Sequence, residues 1–187
     1  MALKKTTSIV HGGKRVSEIL EAHQLFFSGK DGGVRADLTG ANLSGADLGG
    51  VNLSGAIMQN VNLEGASLRK ARLAHADLSG ANLRKADLRG TDLTEAILPG
   101  ANLEEAQASG VEFFRCDLSN ANFQRALLRN TNFRDAIVNG AKFSGADMGV
   151  AILRETDLTG ADLSGVDLAT TLMPPDFASG KSAKKSA

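Results

Sequence analysis

Residues 36–60 read ADLTG ANLSG ADLGG VNLSG AIMQN, which is five pentapeptides in an unbroken series. The same step of five continues without insertion to VDLAT at residues 166–170, so that 135 residues form 27 consecutive pentapeptides. Self-similarity at a fixed period is typical of repeat architectures. We therefore interpret the central part of the chain as one repeated unit and not as an irregular globular domain.

Two of the five positions carry the apolar residues. The first position holds 19 Ala, four Val, three Thr and Cys116, and is always small or of modest size. The third holds 19 Leu, four Phe, two Met, Val138 and Ala108. Asp, Asn, Ser, Arg and Gly dominate the other three positions. The pattern predicts that the first and third residues face a core and that the remaining three face solvent.

Neither regular element fits this period as a continuous structure. A strand has a side-chain period of two, so an odd repeat of five would place alternate repeats on opposite faces. A helix would rotate the apolar stripe by roughly 140° per repeat. The chain must therefore turn after each pentapeptide, with the Gly or Asn at position five in the turn, where such residues adopt unusual dihedral angles.

The motifs ANLSG, ADLRG and ADLSG resemble the pentapeptide repeat family, whose pattern is A(D/N)LXX. The resemblance covers residues 36–170 and implies an all-β, right-handed quadrilateral β-helix of about seven coils, with four pentapeptides per 20-residue coil. At ~4.8 Å per coil the rod would be about 32 Å long. The predicted structural core includes stacked third-position residues, namely Leu43, Leu63, Leu83, Leu103, Phe113, Phe123, Phe133 and Phe143.

Both ends of such a rod expose core and backbone edges, and therefore need covering. We expect residues 1–13 to form a flexible arm, and residues 14–35 a capping helix over VSEILEAHQLFFS followed by a flexible joint at Gly32 and Gly33. Residues 36–170 form the β-helix. Leu172, Met173 and Phe177 indicate a short C-terminal cap over residues 171–178. The polar, basic residues 179–187 are expected to form a disordered tail.

If residues 20 apart share a side of the rod, one side differs from the other three. It carries no Lys or Arg, and its second-position residues alternate between Asp and Ile on successive coils. Short outward side chains elsewhere on it favour a flat, lightly acidic surface with apolar islands. We interpret this side as an interaction surface, because docking there restrains few long charged side chains. Its second-position residues are Asp37, Ile57, Asp77, Ile97, Asp117, Ile137 and Asp157.

The charge balance points to no particular class of partner. The chain has 21 basic and 21 acidic residues, while the repeats alone carry 12 basic and 17 acidic residues, a net charge of −5. We therefore expect no direct nucleic-acid binding and no membrane contact. The single cysteine excludes an internal disulfide, and the first ten residues lack the apolar run of a signal peptide, so a cytoplasmic location is expected.

No motif predicts catalysis. The three histidines are far apart in sequence, Cys116 occupies an inward position, and the aspartates lack the spacing of a calcium-binding loop. We expect no enzyme activity, no metal and no cofactor.

Two functions remain open. The first is a rod-like scaffold that binds a protein of unknown identity, or a second copy of the chain through an end or a flat side. The second comes from the resemblance, because some pentapeptide repeat proteins mimic duplex DNA and bind DNA gyrase or topoisomerase. A duplex carries one charge per ~1.7 Å, about 19 over the length of this rod, so a net charge of −5 makes the mimic the weaker alternative.

Overall fold

The computed structural model describes residues 3–175 and Phe177. Parallel bridges join residue pairs such as Asp37 and Ile57, or Ile152 and Leu172, along the whole repeat region. Within the described part of the chain, every isolated bridge joins residues 20 apart except the one between Lys4 and Ala46. The chain therefore returns to the same side of the rod after 20 residues, as the resemblance implies.

Along most of the rod, up to three backbone N–H groups of a pentapeptide bond to a neighbouring coil. In the first repeat, Leu38 N–H donates to the Ile57 carbonyl at 2.7 Å, and Gly40 N–H donates to the Gln59 carbonyl at 2.8 Å. In the opposite direction, the N–H of Ile57 at position two donates to the Ala36 carbonyl at 2.9 Å. Positions two, three and five thus hold the coils together.

In the first repeat, the two remaining N–H groups are satisfied within the turn. Ala41 N–H donates to the Leu38 carbonyl at 3.0 Å, which closes the corner, and Thr39 N–H donates to Oδ1 of Asp37 at 3.0 Å. Position five has a positive φ, as in Gly40 at 65°. The Asp or Asn of the motif therefore supplies an acceptor for position four, and Gly at position five relieves the strain of the left-handed turn.

Regular secondary structure is confined to the N-terminal region of the described chain. It comprises a 3-10 turn at Thr6–Ser8, strand β1 at Val10–His11, strand β2 at Lys14–Arg15 and helix α1 at Val16–Phe27. The sides of the rod consist of isolated bridges, because only the second residue of each pentapeptide pairs with both neighbouring coils. The rod thus has β-type pairing without strands of regular length.

The eight predicted core residues are all fully buried, with 0% exposure. The four phenylalanines form a herringbone: Phe113 and Phe133 stack at 4.9 Å between ring centroids, and Phe123 and Phe143 stack at 5.0 Å. Rings from the two pairs meet edge to face, as between Phe123 and Phe133 at 5.9 Å. Stacked partners are 20 residues apart, so one coil supports the next.

The N-terminal region covers the first coil. Val16, at the start of α1, is fully buried, and Ile19 and Leu20 pack on the core. Lys4 extends the ladder at the rod's edge, since its N–H donates to the Gly45 carbonyl at 2.7 Å. These contacts cover both the apolar end and part of the open backbone edge, which would otherwise invite association.

Two features of this region differ from the sequence-based expectation. The prediction has a flexible arm over residues 1–13, whereas residues 3–13 contain the 3-10 turn, β1 and the Lys4 bridge. The Gly32–Gly33 joint is also tight rather than flexible: Gly33 N–H bonds to the Lys30 carbonyl at 3.1 Å, and Val34 N–H bonds to the Ala22 carbonyl at 3.0 Å. Backbone hydrogen bonds order both segments, and such bonds leave no periodic pattern in the sequence from which they could be predicted.

His23 links α1 to the first repeat. Its side chain is fully buried, and its Nδ1 accepts a hydrogen bond from Ala36 N–H at 3.1 Å. Nδ1 therefore carries no proton, and the ring is neutral in this arrangement. Burial lowers the pKa of His23 below 6.5, assisted by the positive charge of Arg35 and opposed by the backbone carbonyl of Ser54.

We expect acidification from pH 7.5 to pH 5.5 to destabilise the protein through His23. The unfolded state binds a proton near pH 6.5, whereas the folded state binds it only at lower pH, so stability falls as the pH drops through 6.5. The loss attributable to His23 has an upper limit of about 1.4 kcal/mol at pH 5.5, because that pH is one unit below 6.5. Thermal unfolding of wild type and His23→Asn, whose Oδ1 can accept from Ala36, measures it. Equal pH dependence in the two proteins would contradict the assignment.

The C-terminal end of the rod is less completely buried than the centre. Leu163, Val166 and Leu168 are partly exposed. Leu172 bridges Ile152 and continues the ladder. Phe177 packs partly buried against the core, and the C-terminal cap over residues 171–178 stays a prediction. The tail predicted over residues 179–187 lies outside the described residues.

Candidate interaction surface

The seven alternating residues form one continuous file along the rod. Parallel bridges connect them in the order Asp37, Ile57, Asp77, Ile97, Asp117, Ile137 and Asp157. We refer to the side of the rod that bears this file as the Asp/Ile side. Its two largest apolar exposures are Ile97 at 43% and Ile137 at 50%. The structure therefore brings the predicted residues together, and their role in binding stays a prediction.

The aspartates of this file accept hydrogen bonds from the position-four residue of the same repeat. Ser119 donates two hydrogen bonds to Oδ1 of Asp117, from its N–H at 3.0 Å and from its hydroxyl at 2.6 Å. Thr159 donates the same pair to Asp157, at 2.9 and 2.6 Å. The hydroxyl and N–H of Thr159 lower the pKa of Asp157, so its carboxylate stays ionised at neutral pH.

Asp77 has one additional partner. Its Oδ1 accepts from Ser79, and its Oδ2 accepts from Gln59 Nε2 on the preceding coil at 2.6 Å. Partial burial raises the pKa of Asp77, but the hydrogen bonds from Ser79 and Gln59 outweigh burial, and the net shift is downward. This carboxylate is thus charged and fixed in position by residues of its own side.

The isoleucines have no side-chain oxygen, so a position-four N–H in their repeats lacks the acceptor that Asp or Asn supplies elsewhere. In the repeat AILPG the position-four residue is Pro99, which has no N–H and needs no acceptor. In the repeats of Ile57 and Ile137, position four is an exposed residue, Gln59 or Asn139, whose N–H can bond to water. Pro99 at position four is thus the sequence signal that Ile97 needs no side-chain acceptor at position two.

The corners of the same side are shaped by two Asn–Gly pairs. A Cβ placed on Gly80 would lie 2.5 Å from Oδ1 of Asn60, and one on Gly140 would lie 2.5 Å from Oδ1 of Asn120. Each asparagine thus folds over the glycine of the next coil. The asparagine side chains at these corners consequently lie along the rod and do not project from the Asp/Ile side.

The other three sides have different chemistry. Asparagines of the neighbouring side form amide hydrogen bonds between coils, including Asn62 to Asn42 at 3.3 Å and Asn82 to Asn62 at 3.1 Å. Opposite charges on adjacent coils of the same side also form ion pairs, for example Arg84 with Glu64 at 3.2 Å. Exposed pairs of this kind contribute about 0–1 kcal/mol each and mainly neutralise the surface.

Two other exposed apolar groups were not predicted as sites. Phe26 and Phe27, at the end of α1, are 47% and 51% exposed, although both belong to the stretch predicted as the capping helix. Leu127 is 46% exposed and occupies position two of its repeat, on the side opposite Ile97 and Ile137. The repeat pattern already places Leu127 on the outside, whereas it says nothing about Phe26 and Phe27, which lie in α1 and are exposed because the buried residues of α1 are Val16 and His23.

Cys116 occupies the core. It is fully buried, and its Sγ donates to the Leu93 carbonyl at 2.8 Å, as Thr91 Oγ1 does to the Leu68 carbonyl at 2.7 Å. Burial raises the pKa of the Cys116 thiol to about 12. Among the described residues, no group of His, Cys, Asp or Glu side chains could hold a metal ion. Within that same part of the chain, no helix combines the length and apolar character needed to cross a membrane.

We expect Cys116 to be unreactive towards a thiol reagent in the native protein. The thiolate is the nucleophile, and burial suppresses both its formation and its access. Modification by 5,5′-dithiobis(2-nitrobenzoate) should proceed about a thousandfold more slowly in buffer than in denaturant. A rate in buffer close to that of the unfolded chain would show that the thiol is accessible.

A cleft lies between the N-terminal region and the first repeat. Basic and acidic side chains both line it, including His11, Lys14 and Arg35 on one hand and Glu18 and Asp37 on the other. The Glu18 carboxylate is already used at the start of α1, where it accepts from Arg15 N–H at 2.9 Å. Mixed charge and an occupied carboxylate give this cleft no distinct ligand chemistry.

Comparison with known proteins identifies the repeats. A family model described as pentapeptide repeats matches in eight copies, over residues 36–74, 46–84, 71–107, 112–149 and 150–171. No curated protein sequence matches the chain.

Several solved structures are similar to the chain. HetL from Nostoc sp. strain PCC 7120, described as involved in heterocyst differentiation regulation, is 30% identical over 75% of this chain and 86% of its own, with a TM-score of 0.39. Rfr23 from Cyanothece 51142 is 23% identical over 84% of this chain and 98% of its own, with a TM-score of 0.42. Full-length QnrB1, a plasmid-mediated fluoroquinolone resistance protein, is 20% identical over 77% of this chain and 82% of its own, with a TM-score of 0.35. With TM-scores this low, the three structures add no argument about function.

Proposed function

This chain belongs to the pentapeptide repeat family, and we propose from that premise that it is a non-enzymatic, rod-like interaction module that docks a partner protein on its Asp/Ile side. The observation that carries the proposal is the unbroken file from Asp37 to Asp157, with exposed isoleucines between its carboxylates. Family members share the rod, whereas function depends on the residues that each rod displays.

The energetics of docking favour this side over the others. Removing the exposed parts of Ile97 and Ile137 from water contributes about 25 cal/mol per Å² of apolar surface. Because the side carries no Lys or Arg, a partner immobilises few long side chains and desolvates no cation there. On the adjacent charged side, docking would have to break ion pairs such as Arg134 with Glu155 at 2.7 Å.

The DNA-mimic function remains the alternative. It requires a strongly acidic surface, whereas the repeats carry a net charge of −5 and pair many carboxylates with arginines. Asp87, for example, lies 2.6 Å from Arg89. A gyrase supercoiling assay with purified protein separates the two functions, because inhibition at a stoichiometric concentration would favour the mimic.

The proposal is tested by capture of partners from a lysate of the source cell with wild-type protein, Ile97→Lys and Leu127→Lys. Ile97 and Leu127 are both at position two, with 43% and 46% exposure, but they lie on opposite sides. We expect Ile97→Lys to lose a captured protein that wild type and Leu127→Lys retain, with unfolding temperatures within a few degrees of one another.

The outcome against the proposal is equally specific. If Ile97→Lys captures the same proteins as wild type, docking does not use the Asp/Ile side. If Leu127→Lys alone loses the partner, the functional surface lies on the opposite side of the rod. Sedimentation of the three proteins shows whether the captured partner is a second copy of this chain.

A further inference from the structure

We propose that the partner element bound by the Asp/Ile side is an amphipathic α-helix lying along the rod, with basic residues two turns apart and an apolar residue on the turn between them. This inference rests on the proposed function and specifies the chemistry of the partner. Lysine or arginine would meet Asp77 and Asp117, and an apolar side chain would lie against Ile97 between them.

The spacing of the file favours a helix. Adjacent coils are ~4.8 Å apart, so successive aspartates lie about 9.6 Å apart. A helix advances ~5.4 Å per turn, so residues two turns apart are separated by about 10.8 Å. The mismatch is about 0.6 Å per step, which accumulates to roughly 2 Å over Asp77, Ile97, Asp117 and Ile137. Flexible Lys or Arg side chains can absorb that difference.

An extended peptide fits the same file poorly. Side chains on one face of a strand repeat every ~6.8 Å, which is about 2 Å more than the coil spacing at each step. Over the four residues from Asp77 to Ile137 the error would exceed a whole coil. An extended partner could therefore match one aspartate and one isoleucine but not the alternating series.

A second copy of this chain would match the spacing but not the charge. Its second-position residues on the other three sides offer isolated basic residues, such as Arg72 and Lys142, and no alternation of basic with apolar residues. Its own Asp/Ile side has no cation to place opposite the aspartates. Charge complementarity thus favours a foreign basic helix over self-association through this surface.

The carboxylates are prepared to accept such a partner. Oδ1 of Asp117 accepts both hydrogen bonds from Ser119, which fixes the side chain before binding, and a carboxylate has further acceptor sites on its second oxygen. Hydrogen bonds to a charged acceptor are stronger than neutral ones, and an ordered acceptor loses less entropy on binding. Preorganisation therefore favours the pairing of these residues with a cation.

Two basic residues at the border of the surface, Arg115 and Arg134, already have acidic partners. Arg115 lies 3.7 Å from Glu95 and 3.8 Å from Asp135, while Arg134 bonds to Glu155. These guanidinium groups are thus directed to carboxylates of their own side and do not neutralise the Asp/Ile file. The positive charge of Arg35 lowers the pKa of Asp37 and of Asp77 and so compensates part of the negative charge at that end of the file. A basic helix therefore meets a row of aspartates whose negative charge is only partly compensated.

The test uses a fluorescein-labelled synthetic helix of about 18 residues, built on alanine and glutamine, with Lys at i and i+7 and Leu at i+4 and i+11. The control peptide has the same composition with Lys and Leu redistributed around the helix. Fluorescence anisotropy measures binding of each peptide to the full-length protein. We expect the patterned peptide to bind about tenfold or more tightly than the control, and binding to weaken with added salt.

Variants of the protein locate the binding site. Asn is a common residue at position two, so Ile97→Asn and Ile137→Asn are compatible with the repeat, and Asn at 137 can also accept from the N–H of Asn139. Each should weaken the patterned peptide about tenfold, whereas the matched Leu127→Asn should leave binding unchanged. Equal binding of the two peptides, equal loss with Leu127→Asn, or no binding of the patterned peptide would overturn the inference.

Failure of this inference is distinguishable from failure of the proposed function. If the partner captured from lysate depends on Ile97 but the patterned peptide does not bind, the surface is correct and its ligand is not a basic helix. If substitution of Ile97 changes neither capture of the partner nor binding of the peptide, both proposals are wrong.

Discussion

Phe133→Ala should lower the free energy of unfolding by about 3–5 kcal/mol. The ring is fully buried, stacks on Phe113 at 4.9 Å, and meets Phe123 and Phe143 edge to face at 5.9 and 5.7 Å. Its removal loses both transferred apolar surface and ring contacts, and it leaves a cavity. The surrounding backbone is tied to both neighbouring coils by hydrogen bonds, such as Phe133 N–H to the Ile152 carbonyl at 2.8 Å. The site therefore has little freedom to collapse.

Equilibrium unfolding in denaturant, followed by circular dichroism, measures this loss. Phe133→Leu is the first control, since Leu is the commonest third-position residue and should cost only about 1 kcal/mol. Phe114→Ala is the second, because that ring is only partly buried, beneath the Arg115 guanidinium at 4.8 Å, and should cost about 1 kcal/mol or less. A loss for Phe133→Ala no larger than that for Phe114→Ala would contradict the stacked-core account.

Gly33→Ala should release the N-terminal cap. A Cβ at Gly33 would lie 2.4 Å from the backbone nitrogen of Phe26 and 2.5 Å from its Cα. These are backbone atoms of α1, so no side-chain movement can relieve the overlap. We expect a cost of about 2–3 kcal/mol, expressed as displacement of α1 from the first coil. The joint after α1 is therefore a point of close approach, where only glycine fits.

Hydrogen exchange provides the measurement. The N–H groups of Val34 and Ala36 bond to the Ala22 carbonyl and to His23 Nδ1, so both should exchange faster when the cap is displaced. Gly32→Ala is the matched control: Gly32 has a φ of 78° but open space around it, so its substitution brings backbone strain of about 1 kcal/mol without a clash. Equal protection of the Ala36 N–H in wild type and Gly33→Ala would contradict the predicted displacement of α1.

The repeat itself was predictable because each pentapeptide has the same pattern of buried residues and the same turn. The small first residue, large third residue and Gly at position five follow from burial and turn geometry, and so the 20-residue return could be inferred with the family's help. The role of Asp or Asn at position two could have been read as well, since its Oδ1 accepts from the N–H two residues later in repeat after repeat, including Asp37 with Thr39 and Asn82 with Arg84.

The alternating file was also predictable as an arrangement. Once 20 residues are known to complete a coil, Asp77, Ile97 and Asp117 must lie on successive coils of one side. The solvent exposure of its residues was not predictable, because Ile57 is only partly exposed whereas Ile137 is half exposed in the same file. Exposure depends on neighbouring side chains from other coils, and the sequence of a single repeat does not contain them.

The amino-acid sequence by itself determined the repeat, the turn after every fifth residue and the composition of each side, because these depend on interactions between residues close in the chain or 20 apart. Only the tertiary structure decided how the N-terminal region closes the rod. Lys4 pairs at the edge beside Ala46, His23 binds the backbone of Ala36, and Gly33 approaches Phe26. These contacts have no period, since each forms once where the first coil lacks a neighbour, and their specificity lies in the shape of that one end.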